Sequence, residues 1–134
     1  RAEVDIIADT LIEDFDIRAP SAHTLCGSLS GGNIQKVMLG RELSFAPRLV
    51  VYNKPTQGLD AKTALHIRER IRDSAEHAGV AAVLISSDLE ELLEMCDRIA
   101  VVFRGRVVGI VDNDGPDVAR KVGELMLGVL PRGD

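Results

Sequence analysis

The sequence has no excess of basic residues. Lys and Arg number 16 against 21 Asp and Glu, a formal net charge of -5. That excludes a general nucleic-acid binder, which is usually basic, and leaves open only a local basic patch. Cysteine is scarce. Cys26 and Cys96 are far apart and form no CxxC, so two reduced thiols are the simplest reading. His23, His66 and His77 make no ligand-like spacing with them, which argues against a metal site. No apolar run approaches the roughly 18 residues of a spanning helix. Arg1 opens an acidic, mixed segment rather than a signal-peptide core. Internal repeats and low-complexity tracts are lacking. With 46% hydrophobic residues the chain is not disordered. At 134 residues it is one domain's worth, long enough to bury a core without staples. It reads as a soluble, intracellular single domain.

What is present alternates between two periodicities. Val4, Ile7, Ala8 and Leu11 predict an amphipathic helix over residues 3–13. A loop follows from Arg18 to Ser28, and Val37, Met38 and Leu43 mark a helix from about Ile34 to Phe45. Leu49–Tyr52 reads as a buried parallel strand. Asp60 can cap a helix over 61–78, with Ala64, Ile67, Ile71, Ala75 and Ala78 inward and Gly79 as its stop. Val80–Ile85 is a second strand. Ser87 and Glu90 have the spacing of a capping box for a short helix. Ile99–Phe103 and Val107–Val111 read as a hairpin, and a last helix spans about Pro116 to Leu127. Strand, helix, strand, helix, hairpin is an α/β pattern with a partly parallel sheet flanked by helices. In such sheets ligands bind beyond the carboxyl ends of the strands, here Asn53/Lys54 and Ser86/Ser87.

Ser30-Gly31-Gly32-Asn33 opens a helix. Glycines admit close backbone approach, and a helix N-terminus offers free N–H groups and partial positive charge, a combination suited to phosphate. The bland alternative is a serine cap alone. Other features read plainly. The three histidines are solvated or locally hydrogen-bonded, and Arg68, Glu69, Arg70 and Arg72 form a wet helix face. Tyr52 and Phe103 belong to the core, and Met38, Met95 and Met126 are too scattered for a ligand box.

The string Leu29-Ser30-Gly31-Gly32-Asn33-Ile34-Gln35-Lys36 resembles the signature motif of ATP-binding cassette (ABC) proteins. Leu49–Thr56 is similar to that family's Walker B strand, Gln57–Asp60 to its D-loop and Ile85–Glu91 to its switch region. Asp97–Val101 and Gly105–Val108 are similar to its closing strand pair, and Gly123–Gly128 to the end of a second cassette in fused sugar and nucleoside importers. The resemblance covers roughly residues 20–112 through five ordered motifs. It implies a P-loop NTPase fold and a fragment of one nucleotide-binding domain over 1–134. Residues up to about 45 would be the helical, signature-bearing region, and about 46–134 the catalytic core.

No G-x-x-x-x-G-K-[ST] occurs, so the family's Walker A would lie upstream, and alone the chain should bind ATP poorly. Where Walker B ends in Asp-Glu, this chain has Asn53 and Lys54. An amide is a weak magnesium ligand, and an ammonium accepts no proton. The alternative reading is that Lys54 pairs with a phosphate as a point charge. Ser87 stands where most cassettes carry histidine, and could simply cap its helix. The resemblance therefore implies a degenerate cis site. It also implies that Ser30, Gly31, Gly32, Asn33 and Gln35 complete a second site in trans. Asp60 would lie at the cassette interface, or serve only as a cap.

The implied cofactors are ATP and Mg2+. The implied partners are a second cassette fused upstream, a membrane permease and, through it, a substrate-binding protein, with no nucleic acid. The implied place is the cytoplasmic face of a bacterial-type membrane, peripherally. The parent would be an import ATPase. A non-catalytic cassette half is one alternative. A soluble ABC ATPase of repair or translation is another, disfavoured by the acidic charge and the importer-like strings. The transported substrate is not encoded here, though Asn53 and Lys54 lean toward the nucleoside type.

Overall fold

The computed structural model of the chain describes residues 2–129. Its elements, in order, are α1 (Ala2–Asp14), α2 (Gly31–Ser44), β1 (Leu49–Asn53), α3 (Ala61–Glu76), β2 (Ala81–Ile85), α4 (Leu89–Met95), β3 (Arg98–Phe103), β4 (Arg106–Asp112) and α5 (Val118–Met126). A 3-10 turn at Cys26–Ser28 precedes α2. The chain divides into two compact units, residues 1–83 and 84–134.

In the first unit, α1 packs on α2 and α2 on α3. Gly40 lets α1 approach, because a Cβ there would stand 3.0 Å from the Phe15 ring and 3.3 Å from Leu11. The segment after α1 is fastened by side chains. The buried Lys36 Nζ donates to the Asp16 carbonyl at 2.7 Å and to its carboxylate at 3.2 Å. His66 Nε2 lies 3.1 Å from the Phe15 carbonyl, and the Arg70 guanidinium sits 4.6 Å over the Phe15 ring. A buried ammonium is tolerable only with such partners. The predicted wet face of α3 is thus only partly wet: Glu69 is exposed, while Arg68, Arg70 and Arg72 are half-buried. His23 and His77 lie on the surface near Asp5 and Asp73.

The inward stripe of α3 is Ala64, Ile67, Ile71 and Ser74. Ala75 and Ala78, expected inside, are exposed. Ser74 can replace them because its hydroxyl donates to the Ile71 carbonyl at 2.7 Å. The amphipathic α1 forms, but Val4 and Ile7 are exposed. Along α2 the buried residues are Lys36, Leu39 and Gly40, with Met38 outside.

Strands β1 and β2, joined through α3, form a small parallel sheet. Tyr52 is buried as expected, and burial pushes its phenol above the usual value. Leu49 and Val51, read from the sequence as buried, are exposed, as is Val83 on β2. Of the two strands only Tyr52 is fully buried, with Val50 and Leu84 half-buried.

In the second unit, β3 and β4 pair antiparallel from Arg98↔Asp112 to Phe103↔Arg106, with a bulge at Val101/Val102. Leu92, Ile99, Val101, Val118, Val122 and Leu125 form its core. Phe103 is half-buried rather than fully in the core. Cys26 is exposed and Cys96 half-buried, both free.

Candidate functional site

The first turn of α2 gathers most of the residues singled out above. Ser30 is the N-cap, in extended backbone (φ -65, ψ 156). Its Oγ accepts from the Asn33 backbone N–H at 3.4 Å and from Asn33 Nδ2 at 3.0 Å. Ser30 Oγ thus acts as an acceptor toward Asn33, and its hydroxyl hydrogen is still available to donate. Asn33 is itself pinned, since its Oδ1 accepts from the Arg18 N–H at 2.9 Å. The helix begins three residues earlier than its apolar pattern predicted, because the cap lies before the glycine pair.

The two glycines differ. Gly31 is exposed, and a Cβ there would meet nothing within 4 Å. Gly32 faces α3, where a Cβ would stand 2.8 Å from Thr63 Cγ2. Gln35 is half-buried one position before Lys36.

The start of α3 repeats the cap geometry. Asp60 (φ -65, ψ 157) accepts from the Thr63 N–H at 3.0 Å and the Thr63 hydroxyl at 2.7 Å. The Thr63 hydroxyl and then the Thr63 N–H hold its carboxyl below the usual range. Sequence reading missed Thr63; a threonine three residues after an N-cap Asp was the available signal. A depressed folded pKa gives stability that is complete above the unfolded value of about 3.9 and lost as pH falls through the folded one. Thr63→Val removes the hydroxyl bond. The stability gap between wild type and Thr63→Val in urea unfolding is therefore expected to shrink as pH falls from about 6 to about 3.

Asn53 and Lys54 end β1, both exposed. Lys54 adopts φ 50, a region that side chains rarely occupy, and opens a turn in which its carbonyl accepts from the Gln57 N–H at 3.2 Å. No group of three or more His, Cys, Asp or Glu able to hold a metal occurs among the described residues. An amide is a weak ligand for magnesium and an ammonium is none.

In the second unit, Ser87 is exposed and does not cap α4. Asp88 does, accepting from the Glu90 and Glu91 N–H groups at 3.0 and 3.2 Å. A carboxylate suits the positive helix end better than a hydroxyl. Ser86 braces the turn. It accepts from the Asp88 N–H at 3.0 Å and donates to the buried Glu91 carboxylate at 2.7 Å.

The order of these parts (glycine-rich helix start, β1, Asp60-capped helix, β2, capped α4, hairpin) is found in known proteins. No protein-family model matches the chain. It is 38% identical over 121 residues to the guanosine import ATP-binding protein NupO of Bacillus subtilis, covering 90% of this chain and 23% of that protein. It is 46% identical over 103 residues to the glucose import ATP-binding protein TsgD13 of Haloferax volcanii, covering 75% and 18%. The fold matches the dimeric post-hydrolysis state of the ATP-binding cassette MJ0796 bound to ADP and Pi. That match has a TM-score of 0.72 and 24% identity, over 82% of this chain and 47% of that one.

The chain belongs to the ABC ATP-binding family. Its relatives include importer ATP-binding proteins for nucleosides and sugars. This ABC chain spans about a quarter or less of the length of those relatives. No helix among its described residues is long and apolar enough to cross a membrane. Nucleotide binding is a family property, and the N-terminus of α2 fits an anion. It offers an exposed serine hydroxyl, unobstructed space at Gly31 and the positive end of a 14-residue helix.

Proposed function

We propose that this chain is the signature-bearing part of the second cassette in the ATPase of a sugar or nucleoside importer. In this reading Ser30, Gly31, Gly32, Asn33 and Gln35 complete a nucleotide site whose phosphate-cradling loop belongs to a partner cassette. Residues up to about 45 are its helical region and about 46–134 its catalytic core.

One observation carries the reading. Ser30 Oγ accepts from Asn33 N–H and Nδ2, which leaves its hydroxyl hydrogen available as a donor beside the open Gly31. An anion seated there meets a hydroxyl donor, free N–H groups and the helix dipole. Such preorganised donors stabilise charge that develops on a transferred phosphoryl group. Two further facts support pairing. The similar cassette MJ0796 is dimeric with ADP and Pi bound, and the space in front of Gly31 is open for a partner's ligand.

The second site, formed around this chain's own β1, is the weaker one. Asn53 and Lys54 neither hold magnesium nor accept a proton from water. ATP and Mg2+ belong to the competent composite site, with Mg2+ held outside this chain. The partners are the upstream cassette, a permease that receives the motion and, beyond it, a substrate-binding protein, at the cytoplasmic face of the membrane.

The test uses the full-length parent with its permease in lipid. Gly31→Asp places a carboxylate where the γ-phosphate would sit, and the open space means no core is disturbed. Hydrolysis is expected to fall by about tenfold or more, while Gly31→Ala stays within about threefold. An unchanged rate in Gly31→Asp would hand the lead to the non-catalytic reading that Asn53 and Lys54 favour.

A further inference from the structure

The glycine pair of the signature has two different neighbours, and the inner one points to a residue outside the motif. A Cβ on Gly32 would lie 2.8 Å from Thr63 Cγ2, 3.4 Å from its Oγ1 and 3.6 Å from its Cβ. Real Cβ atoms do not approach that closely, so something would have to shift. Thr63 has little freedom to do so. It is β-branched, and its χ1 is held by the 2.7 Å bond from its hydroxyl to Asp60, whose carboxylate also accepts the Thr63 N–H at 3.0 Å. Turning the methyl away breaks the hydroxyl bond to Asp60. An added methyl at position 32 must therefore move the start of α2 instead.

We propose that Thr63 is a positioning residue for the signature. Asp60 locks its side chain, its methyl seats Gly32, and that contact fixes where the Ser30 hydroxyl and the first N–H groups of α2 stand. Gly32 is then glycine because of what lies behind it, whereas Gly31 is glycine because of what arrives in front. The inference rests on the trans-site reading above and adds to it a physical link from the D-loop to the signature. The two helix starts share one contact, so a displacement of Asp60 reaches Ser30 through Thr63 and Gly32.

The experiment is a rescue in the full-length parent with its permease. Gly32→Ala is expected to lower kcat by about tenfold or more with a smaller change in KM. A displaced donor weakens the transition state more than the ground state, and a misplacement of about 1 Å costs on the order of a hundredfold. Thr63→Ser keeps the hydroxyl bond to Asp60 and removes only the methyl. The double variant Gly32→Ala/Thr63→Ser should recover to within about threefold of Thr63→Ser alone.

Additive losses in the double variant would overturn the proposal and assign Gly32 to the ligand side. Wild-type turnover in Gly32→Ala would also overturn it, since the contact would then be soft. If Gly32→Ala unfolds, the same comparison is read on thermal midpoints. Restoration by Thr63→Ser supports the contact, and no restoration rejects it. Gly31→Asp in the same preparation separates the two levels. If it leaves hydrolysis untouched, the trans-site reading falls. If it abolishes hydrolysis while the double variant fails to recover, only the role of Thr63 falls.

Discussion

Ile67→Ala is expected to destabilise the chain by about 2–5 kcal/mol, read as a lowered urea midpoint at unchanged slope. Ile67 is 1% exposed, at the middle of the inward stripe of α3. Truncation removes three carbons from a buried site, so a cavity cost adds to the lost transfer energy. Leu65, two residues earlier on the same helix, is 48% exposed. Leu65→Ala is expected to cost less than about 1 kcal/mol. Equal losses at the two positions would mean that the helix is rotated from the orientation described.

Gly128→Ala is expected to cost about 2–5 kcal/mol, from two sources that can be separated. Gly128 has φ +77, and an L-residue there costs roughly 1–2 kcal/mol. A Cβ would also stand 2.7 Å from Phe103 Cζ and 2.9 Å from Cε1, an overpacking typically worth about 1–3 kcal/mol. Gly79 isolates the first source, since it has φ +66 and nothing within 4 Å of its Cβ position. Gly79→Ala should therefore cost only the backbone part. Phe103→Leu in the Gly128→Ala background should return much of the packing part. If Gly79→Ala and Gly128→Ala cost the same, the ring is yielding and the packing argument fails.

These positions also show where the sequence was readable. Gly79 was legible as a helix stop because the signal is local: a periodic stripe ends and glycine follows. The caps Ser30 and Asp60 were legible for the same reason. Ser87 was misread because the capping-box spacing fits it, while Asp88, next to it, offers a charged acceptor to two N–H groups. Ala75 and Ala78 were misassigned because composition favours alanine inside, whereas the helix geometry turned Ser74 inward and its own backbone satisfied it.

The contacts that define the site were not legible. Asn33 with Arg18, Lys36 with Asp16, and Gly32 with Thr63 join residues far apart in sequence, with no periodicity to announce them. The family motifs named the loop before α2. They did not say which glycine faces the protein, nor that Asn33 spends its amide on internal bonds. The exposure of Leu49 and Val51 was equally hidden, because a strand's apolar run says it wants a cover and not where the cover comes from.

Strand β1 carries one more consequence. Leu49-Val50-Val51-Tyr52 is short, uncharged and rich in β-formers, with two of its apolar side chains in the open, the make-up of a segment that recruits copies of itself into fibrils. It is bracketed by Arg48 and Lys54, with Pro47 and Pro55 beyond them. A second copy aligned antiparallel sets Arg48 against Lys54, and one aligned parallel sets each cation against its twin. Either arrangement opposes like charges at both ends, and the prolines deny the ladder further N–H donors. Lys54 thus guards this strand against aggregation, so placing a carboxylate at position 54 alone would remove one of the two gatekeepers.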